Sequence, residues 1–321
     1  ISMMVTACYN MVDTYFVGQL HSNSATGAVG VVFSLMAVIQ AVGFFFGHGS
    51  GNYISRQLGR HETADAEKMA ATGVTLAFLA GCVILVLGQI FLTPLARLLG
   101  STDTILPYAR SYLRIILLGA PYMTASFVLN NQLRFQGSAA YGMVGIAAGA
   151  VLNVGLDPLL IFGLNMGVAG AALATILSQT VSAIMVTVLL VKEEGAMHLD
   201  LRHLGFHKKA LLQIIQIGLP AGIQSCMFSL SNVVIQSSVN SFGSIVIAGN
   251  AAGANVGNFV YQAMNTFQQA VTCFAGQNIG ARKPRRVLTS MYVSLFWAFS
   301  FGVVFGVLSC VFGAQLLSLY S

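Results

Sequence analysis

The most informative stretch of the chain is residues 152–163, which reads LNVGLDPLLIFG. It places an amide, a carboxylate and a proline (Asn153, Asp157 and Pro158) inside a segment that is otherwise apolar. The apolar residues continue on both sides, so residues 139–162 are long enough for a helix that crosses a bilayer, which takes about 20 residues. We therefore interpret this stretch as part of a membrane helix that carries a polar site.

The composition of the whole chain indicates the same environment. Of the 321 residues, 56% are hydrophobic and 7% are charged, and the mean hydropathy is +0.79. A soluble domain carries about 25% charged residues. These values exclude a water-soluble enzyme and predict an all-α polytopic membrane protein. The net charge of +6 does not indicate a nucleic-acid partner, because the basic residues lie in short loops rather than on one soluble face. No glycine precedes a lysine, so a Walker A motif for ATP hydrolysis is absent from the sequence.

Length and hydropathy divide the chain into nine predicted spans. The longest polar break separates six spans from three, which predicts a first lobe over residues 1–192, a cytoplasmic linker over residues 193–208 and a second lobe over residues 209–321. The predicted spans are residues 1–19, 27–52, 69–96, 108–133, 139–162, 168–191, 209–239, 245–273 and 287–318.

The distribution of lysine and arginine predicts the orientation, because short cytoplasmic loops carry an excess of both residues. Of the 15 basic residues, the loops on one side hold all but Arg97, Arg110 and Arg114. We therefore expect a multi-pass protein of the plasma (inner) membrane whose N-terminus is cytoplasmic. The basic loop residues are Arg56, Arg60, Lys68, Arg134, Lys192, Arg202, Lys208, Lys209, Arg282, Lys283, Arg285 and Arg286.

A weak internal repeat is consistent with two lobes that run in the same direction through the membrane. A polar turn with glycine follows span two and recurs after span eight, and each turn ends at a basic residue. The two sets are Ser55, Gln57, Gly59 and Arg60, and Gly276, Gln277, Gly280 and Arg282.

Two of the nine acidic residues, Asp13 and Asp157, fall inside predicted spans. A carboxylate at the centre of a lone membrane helix costs about 2.5 to 3.5 kcal/mol, so such residues usually face a cavity on an ion or substrate path. Counted at about 1.5 Å per residue, both acids and Thr175 lie about 8 to 10 Å below the outer end of their spans. We expect one shared pocket. The alternative is that Asp157 caps a broken helix at Pro158 and that Asp13 lies near the interface.

Polar neighbours at helical spacing accompany both acids. Tyr9 and Asn10 precede Asp13 by four and three residues, and Asn153 precedes Asp157 by four. Desolvation favours a protonated carboxyl group. Equally, the oxygen atoms of Asp13, Asn153, Asp157 and Thr175 suit a sodium ion, because hard cations favour oxygen ligands. The sequence leaves proton and sodium open.

Several stretches resemble the MATE (multidrug and toxic compound extrusion) transporters, and in particular their DinF-like branch. The resemblance extends along the whole chain, and the stretch with Asp157 is its most specific part. The stretches are Asp13–Gly18 (DTYFVG), Leu152–Gly163, Gly167–Thr175 (GVAGAALAT), Gly218–Pro220 and Gly276–Arg282.

This resemblance implies twelve spans in two six-helix lobes around a cavity, and the export of amphipathic, often cationic compounds in exchange for H⁺ or Na⁺. It implies a cation-coupling site at Asp13, Asn153, Asp157 and Thr175, with Tyr9 beside it. Asn10, Asn130 and Pro158 are predicted at the substrate cavity. We expect no cofactor besides the coupling ion. The expected partners are small organic substrates and membrane lipid, and the expected oligomeric state is a monomer. The chain is then expected to be a fragment that lacks the last three helices.

Three rival functions remain at this point. A flippase for a lipid-linked saccharide belongs to a related superfamily, but it should carry several basic residues inside its cavity. An intramembrane enzyme would need a nucleophile and a base, or metal ligands, within the spans. A scaffold or receptor would bind a ligand without flux.

Overall fold

The computed structural model describes residues 12, 16, 19, 23–192, 207–240, 242 and 244–313. In these ranges all the regular structure is helical. The helices are α1 (Asn23–Gly59), α2 (Thr63–Ile90), α3 (Leu92–Leu98), α4 (Leu106–Gln136), α5 (Ala139–Pro158), α6 (Val168–Lys192), α7 (Lys208–Asn240), α8 (Ser244–Gly280) and α9 (Pro284–Val311). A π-helical segment, Leu159–Gly163, continues α5.

The described helices confirm an all-α polytopic membrane protein. Six segments are long and apolar enough to cross a bilayer, and they coincide with predicted spans two to six and nine. Helices α7 and α8 coincide with predicted spans seven and eight. Predicted span one, apart from residues 12, 16 and 19, and nearly all of the linker at 193–208 lie outside the described residues, so the division into lobes stays a prediction. The six segments are Val31–Gly59, Thr63–Ile90, Leu106–Gln136, Ala139–Gly163, Val168–Val191 and Pro284–Val311.

The third predicted span, residues 69–96, is wrong in one respect, because it is not a single helix. Helix α2 ends at Ile90, and the short helix α3 begins at Leu92. Pro94 explains the break, since it has no N–H to bond the carbonyl of Ile90 four residues earlier. The chain therefore turns near Phe91, at the end opposite the basic loops.

Helix α4 is the central helix of the first six. In its most apolar stretch of 18 residues, 67% of the residues are buried, whereas the corresponding share is 33 to 39% in α1, α2, α5 and α6. Its side chains also carry the polar contacts between helices. The Gln132 Nε2 atom donates to Ser50 Oγ of α1 at 3.2 Å and to the Ala70 carbonyl of α2 at 3.1 Å. These bonds hold three helices together where no water competes.

A row of glycines on α1 allows that helix to approach α4 closely. A Cβ atom at Gly43 would lie 2.5 Å from the Phe127 Cβ, and one at Gly47 would lie 2.9 Å from the Asn131 Cβ. One turn later, a Cβ atom at Gly51 would likewise collide with the ring of Phe135. Each step is four residues on both helices, so the two helices pack in register, as small residues permit in membranes.

The two segments of the weak repeat pack against each other. A Cβ atom at Gly59 would collide with the Gln277 carbonyl, and one at Gly280 would collide with the Arg56 carbonyl. The Ser55 hydroxyl also donates to the Cys273 carbonyl at 2.8 Å. We call the end of the bundle that holds these contacts the basic end, because the basic loops lie there. At the basic end α1 and α8 thus touch backbone to backbone.

Pro158 changes the form of the helix that carries Asp157. The α-helical hydrogen bonding of α5 ends at this proline, and the backbone continues as a wider π-helical turn over Leu159–Gly163. A proline removes a backbone donor, and π-helical turns are frequent at functional sites. The helix that carries Asp157 is therefore irregular directly beside the carboxylate.

Gly81 offers a test of close helix packing. A Cβ atom there would lie 2.5 Å from the Pro121 Cα and 2.8 Å from the Ala120 carbonyl oxygen, and neither backbone atom moves easily. We expect Gly81→Ala to destabilise the protein by about 1 to 3 kcal/mol, the usual cost of overpacking. The measurement is thermal unfolding of the purified protein in detergent.

Gly306→Ala is the matched control, because a Cβ atom there meets nothing within 4 Å. Alanine is the better helix former by about 0.5 to 1 kcal/mol, so this variant should be as stable as the parent or more stable. Equal melting temperatures for the two variants would contradict the packing of α2 on α4.

Candidate functional site

A cavity of about 320 Å³ lies among α1, α4, α5 and α6. Its volume falls at the lower end of the range typical of small-molecule sites. One part of its wall is apolar, with Phe33, Met36, Phe44, Phe127 and Ile146. The other part is polar and includes Gln40, Ser126, Asn130, Asn131, Arg134, Asn153, Thr175, Ser178, Gln179 and Ser182. Such a wall suits an amphipathic ligand.

Three polar side chains on the wall use their donors within their own helix. Asn130 Nδ2 donates to the Ser126 carbonyl at 2.9 Å, and Asn131 Nδ2 donates to the Phe127 carbonyl at 2.8 Å. The Thr175 hydroxyl donates to the Ala171 carbonyl at 3.0 Å. The Oδ1 atoms of both asparagines are buried and have no hydrogen-bond partner among the described protein groups. Both oxygens are therefore buried beside the cavity without a bond from a described group.

Asn153 is a buried amide on the cavity wall. The side chain is 1% exposed, and neither its Nδ2 nor its Oδ1 atom has a hydrogen-bond partner within the described part of the chain. A buried amide without partners costs about 1 to 3 kcal/mol. Such a cost is expected where a group serves a ligand rather than the fold.

Asp157 lies one turn beyond Asn153 on α5 and is completely buried. Its carboxylate is not part of the described cavity wall, whereas Asn153 and Thr175 are. The cavity therefore ends one helical turn short of Asp157. Pro158, which follows directly, is half-buried and likewise does not line the cavity.

Arg134 occupies a different place from the one predicted. The sequence assigned it to a cytoplasmic loop, but α4 continues to Gln136 and keeps Arg134 helical. The side chain is half-buried and lines the cavity at the basic end. Its Nη1 atom donates a hydrogen bond to Gln269 Oε1 of α8. A guanidinium group thus lies between the cavity and the contact of α4 with α8.

The structure places some of the predicted site residues and leaves others untested. Asn130, Asn153 and Thr175 share the cavity wall, and Asp157 lies one turn away. Tyr9, Asn10 and Asp13 lie outside the described residues. Arg134, Asn131 and Ser178 were not predicted. The spacing of Thr175, Ser178 and Ser182 by three and four residues is a polar helical stripe that could have identified one wall.

The available ligands at this site are oxygen atoms. No group of three or more His, Cys, Asp or Glu side chains comes together among the residues that the structure describes. A carboxylate, an amide and a hydroxyl suit a proton or a hard cation, in contrast to the imidazole and thiolate ligands of zinc. These oxygen-bearing groups lie on, or one helical turn beyond, a cavity whose wall is partly apolar and partly polar.

Comparison with known proteins gives consistent matches. The family model described as MatE matches residues 1–159 and 220–321. Multidrug export protein MepA of Staphylococcus saprophyticus is 29% identical over 77% of this chain, and the chain spans 55% of that relative's length. MepA of Staphylococcus aureus is 26% identical over the whole chain, which spans 71% of its length.

Solved structures agree with the sequence matches. One is described as the outward-facing conformation of a multidrug resistance MATE family transporter of the MOP superfamily. It matches with a TM-score of 0.93 at 25% identity, over 100% of this chain and 71% of that chain.

The amide of Asn153 can be tested through its effect on stability. We expect Asn153→Leu to stabilise the ligand-free protein by about 1 kcal/mol or more, because it removes a buried amide that has no described partner. The same variant should lose any stabilisation by sodium ions or by a change of pH. Both effects are measured by thermal unfolding in detergent.

Asn278→Leu is the control, because Asn278 Nδ2 donates to the Phe274 carbonyl at 2.8 Å. Both substitutions replace asparagine by leucine within a helix, so differences in helix propensity cancel. We expect the control to be no more stable than the parent. A destabilised Asn153→Leu protein would show that the amide supports the fold.

Proposed function

The chain belongs to the MatE family, and on that basis we propose that it is a secondary antiporter that exports amphipathic, often cationic compounds in exchange for H⁺ or Na⁺. Its relatives and structural neighbours are transporters rather than enzymes. The cavity bounded by α1, α4, α5 and α6 is the proposed substrate site. Asp157, Asn153 and Thr175 are the proposed coupling residues, together with Asp13 and Tyr9.

The complete burial of Asp157 carries this proposal. A carboxylate is costly to keep charged when it is completely buried, and proton or cation binding lowers that cost. Asn153 and Thr175 connect the acid to the cavity, because both residues line the cavity wall. Asn153 lies one turn before Asp157 on α5, and Thr175 lies on the neighbouring helix α6. A change of charge at Asp157 therefore alters the wall on which a substrate would lie.

The contacts at the basic end support an exchange cycle. Helices α1 and α4 meet α8 there through Gly59, Gln277 and Arg134, which closes this side of the bundle. We propose that the basic end is cytoplasmic and that the chain is in an outward-facing state. Cation binding at Asp157 would then act on the irregular turn after Pro158 and displace the substrate outward.

The available driving force is sufficient for such an exchange. One charge that crosses about 100 mV supplies about 2.3 kcal/mol. One pH unit supplies about 1.4 kcal/mol more. For one-for-one exchange with a substrate of no net charge, the sum supports a concentration ratio of several hundredfold, since each 1.4 kcal/mol is about tenfold. With a monovalent cationic substrate the exchange moves no net charge, so one pH unit alone supports about tenfold.

The proposal also covers the family branch, the division into lobes and the location of the chain. We assign the chain to the DinF-like branch and divide it into lobes at residues 193–208. We place it in the plasma (inner) membrane with a cytoplasmic N-terminus, as a monomer surrounded by lipid. Sodium, if it is the coupling ion, would be held by Asp13, Asn153, Asp157 and Thr175, and no other cofactor is proposed.

The flippase is the less favoured function. It should hold a pyrophosphate with several basic residues, whereas Arg134 is the single basic residue on the described cavity wall. A scaffold or receptor differs from both transporters in its lack of flux, so a flux measurement distinguishes it.

The decisive experiment measures export into everted membrane vesicles under an imposed pH gradient or an imposed sodium gradient. We expect Asp157→Asn to reduce gradient-driven export at least about tenfold, because the amide cannot gain and lose a proton or hold a cation as the carboxylate does. The gradient that drives export by the parent protein identifies the ion.

Asp103→Asn is the matched control. Asp103 is exposed and pairs with Arg97 at 3.0 Å outside the cavity, so its loss should leave export unchanged. Export by Asp157→Asn at the parental rate, with equal expression, would overturn the antiport mechanism. Binding without flux under either gradient would favour the scaffold or receptor.

A further inference from the structure

The turn that connects α8 to α9 carries the densest positive charge in the sequence. Of the five residues 282–286, four are basic, and the fifth is Pro284. All five are exposed. We call these five residues the basic turn. No acid in the same part of the sequence balances them, because residues 201–321 contain neither aspartate nor glutamate. The basic residues are Arg282, Lys283, Arg285 and Arg286.

The described part of the fold does not pair this charge with an acid. The ion pairs found there join Lys68 to Asp65 and Arg97 to Asp103, and neither of them involves the basic turn. Four like charges within five residues repel one another, and water and salt weaken that repulsion only in part. The protein therefore presents a concentrated positive charge to whatever lies beside this turn.

The turn between α1 and α2 has the same backbone form but a different charge. In both turns an N–H beyond the helix end donates to a carbonyl five residues earlier, at 2.9 Å. The residue before each donor, His61 or Arg282, has a positive φ of 62° or 56°. Residues 56–68 around the first turn include three basic and three acidic residues. A turn of this form therefore does not need a net positive charge. The two bonds run from Glu62 N to the Gln57 carbonyl and from Lys283 N to the Asn278 carbonyl.

The location of the basic turn at the start of a helix makes its charge more costly. The N–H groups at a helix N-terminus form the positive end of the helix dipole, so acids stabilise that end and cations destabilise it. Lys283 directly precedes α9, and Arg285 and Arg286 lie in its first turn. By contrast, Glu62 directly precedes α2, and Asp65 lies in the first turn of that helix. An anion beside the basic turn would offset both the repulsion among the cations and the effect of the dipole.

The surface next to the basic turn indicates the chemistry of that anion. Helix α9 is long and apolar enough to cross a bilayer, and no residue of its most apolar stretch is buried within the described structure. One face of α9 begins one turn beyond Arg285 and carries four large exposed side chains at spacings of four, three and four residues. Cations at the end of an exposed apolar face match a phospholipid with an acidic head group, whereas a soluble anion would need only the cations. The four side chains are Leu288, Tyr292, Leu295 and Phe299, and their exposed fractions are 53 to 72%.

We propose that the basic turn binds the head groups of anionic phospholipids and that the exposed face of α9 contacts their acyl chains. The guanidinium groups of Arg285 and Arg286 suit a phosphate, because their parallel N–H donors match two of its oxygens. This surface is separate from the proposed exchange, since it includes neither the cavity nor Asp157.

Trp297 provides an intrinsic probe of this surface. It is the only tryptophan in the sequence, and it lies on α9 with 55% of its surface exposed. It follows Arg285 by twelve residues, or about 18 Å along the helix, which is near the middle of a hydrocarbon core about 30 Å thick. Lipids with brominated acyl chains quench tryptophan fluorescence on contact, so quenching of Trp297 reports which lipid lies against α9.

The experiment compares an anionic lipid with a zwitterionic lipid around the full chain. The protein is reconstituted in mixtures of phosphatidylglycerol and phosphatidylcholine, with bromine on one lipid or on the other, and the quenching gives the ratio of their binding constants at α9. We expect phosphatidylglycerol to bind at least about threefold more tightly, because each basic residue near an anionic surface strengthens the attraction by up to about fivefold.

Removal of charge from the basic turn should weaken this preference. Arg285→Gln combined with Arg286→Gln should lower the ratio of the two binding constants by about half or more, while two of the four cations remain. The matched control combines Lys208→Gln with Lys209→Gln. It also removes two adjacent exposed cations from the first turn of a helix, but that helix is α7, so the ratio should stay at the parental value.

Salt provides a second test that needs no variant. At 1 M salt the screening length falls to about 3 Å, so the preference of the parent protein for phosphatidylglycerol should fall as well. The proposal is wrong if the parent protein binds both lipids equally, or if its preference is the same in low and high salt. It is also wrong if the substitutions at Arg285 and Arg286 lower the ratio no more than the control substitutions do.

Discussion

The close approach of α1 to α4 is the contact on which the cavity depends. Gly43, Gly47 and Gly51 remove the side chains that would otherwise separate the two helices, and the next layer consists of Phe127, Asn131 and Phe135. In lipid this packing cannot rely on the hydrophobic effect, because the surrounding solvent is as apolar as the helix surfaces. Shape therefore determines the pairing. The same register that fits glycine to Asn131 places Asn130, Asn131 and Arg134 along the cavity.

The absence of water in the bilayer also determines how the polar residues behave. Asn130, Asn131 and Thr175 each donate a hydrogen bond to a backbone carbonyl of their own helix. Asn153 lacks that arrangement, and its amide is buried without a described partner. The contrast separates side chains that donate within their own helix from an amide that has no partner among the described residues. The irregular turn after Pro158 lies next to the second kind.

The sequence predicted the membrane helices well, because hydropathy reports directly on the solvent and no tertiary information is needed. It also singled out Asn153, Asp157 and Thr175, since polar groups are conspicuous within apolar spans. It failed at Arg134 and at the break near Phe91. In the first case a basic residue at the end of an apolar run resembles a loop, and only the tertiary fold turns it toward a cavity. In the second case Pro94 lies within a continuous apolar run, so hydropathy could not show that the helix breaks. The repeat after spans two and eight was visible as a pattern, but the direct packing of its two copies required the three-dimensional structure.

Two charged residues of opposite sign flank the cavity, and they differ in how their charge can change. An arginine side chain remains protonated at any physiological pH. A carboxyl group such as that of Asp157 can be neutralised by a proton or a bound cation. Under the proposed exchange, the guanidinium end of the cavity thus keeps a constant charge, while the field at the other end alternates with the ion. The affinity for a cationic substrate should then fall when the ion binds and recover when it leaves. The constant charge and the variable charge are kept apart by the roughly four turns of α5 that lie between the basic end and Asn153.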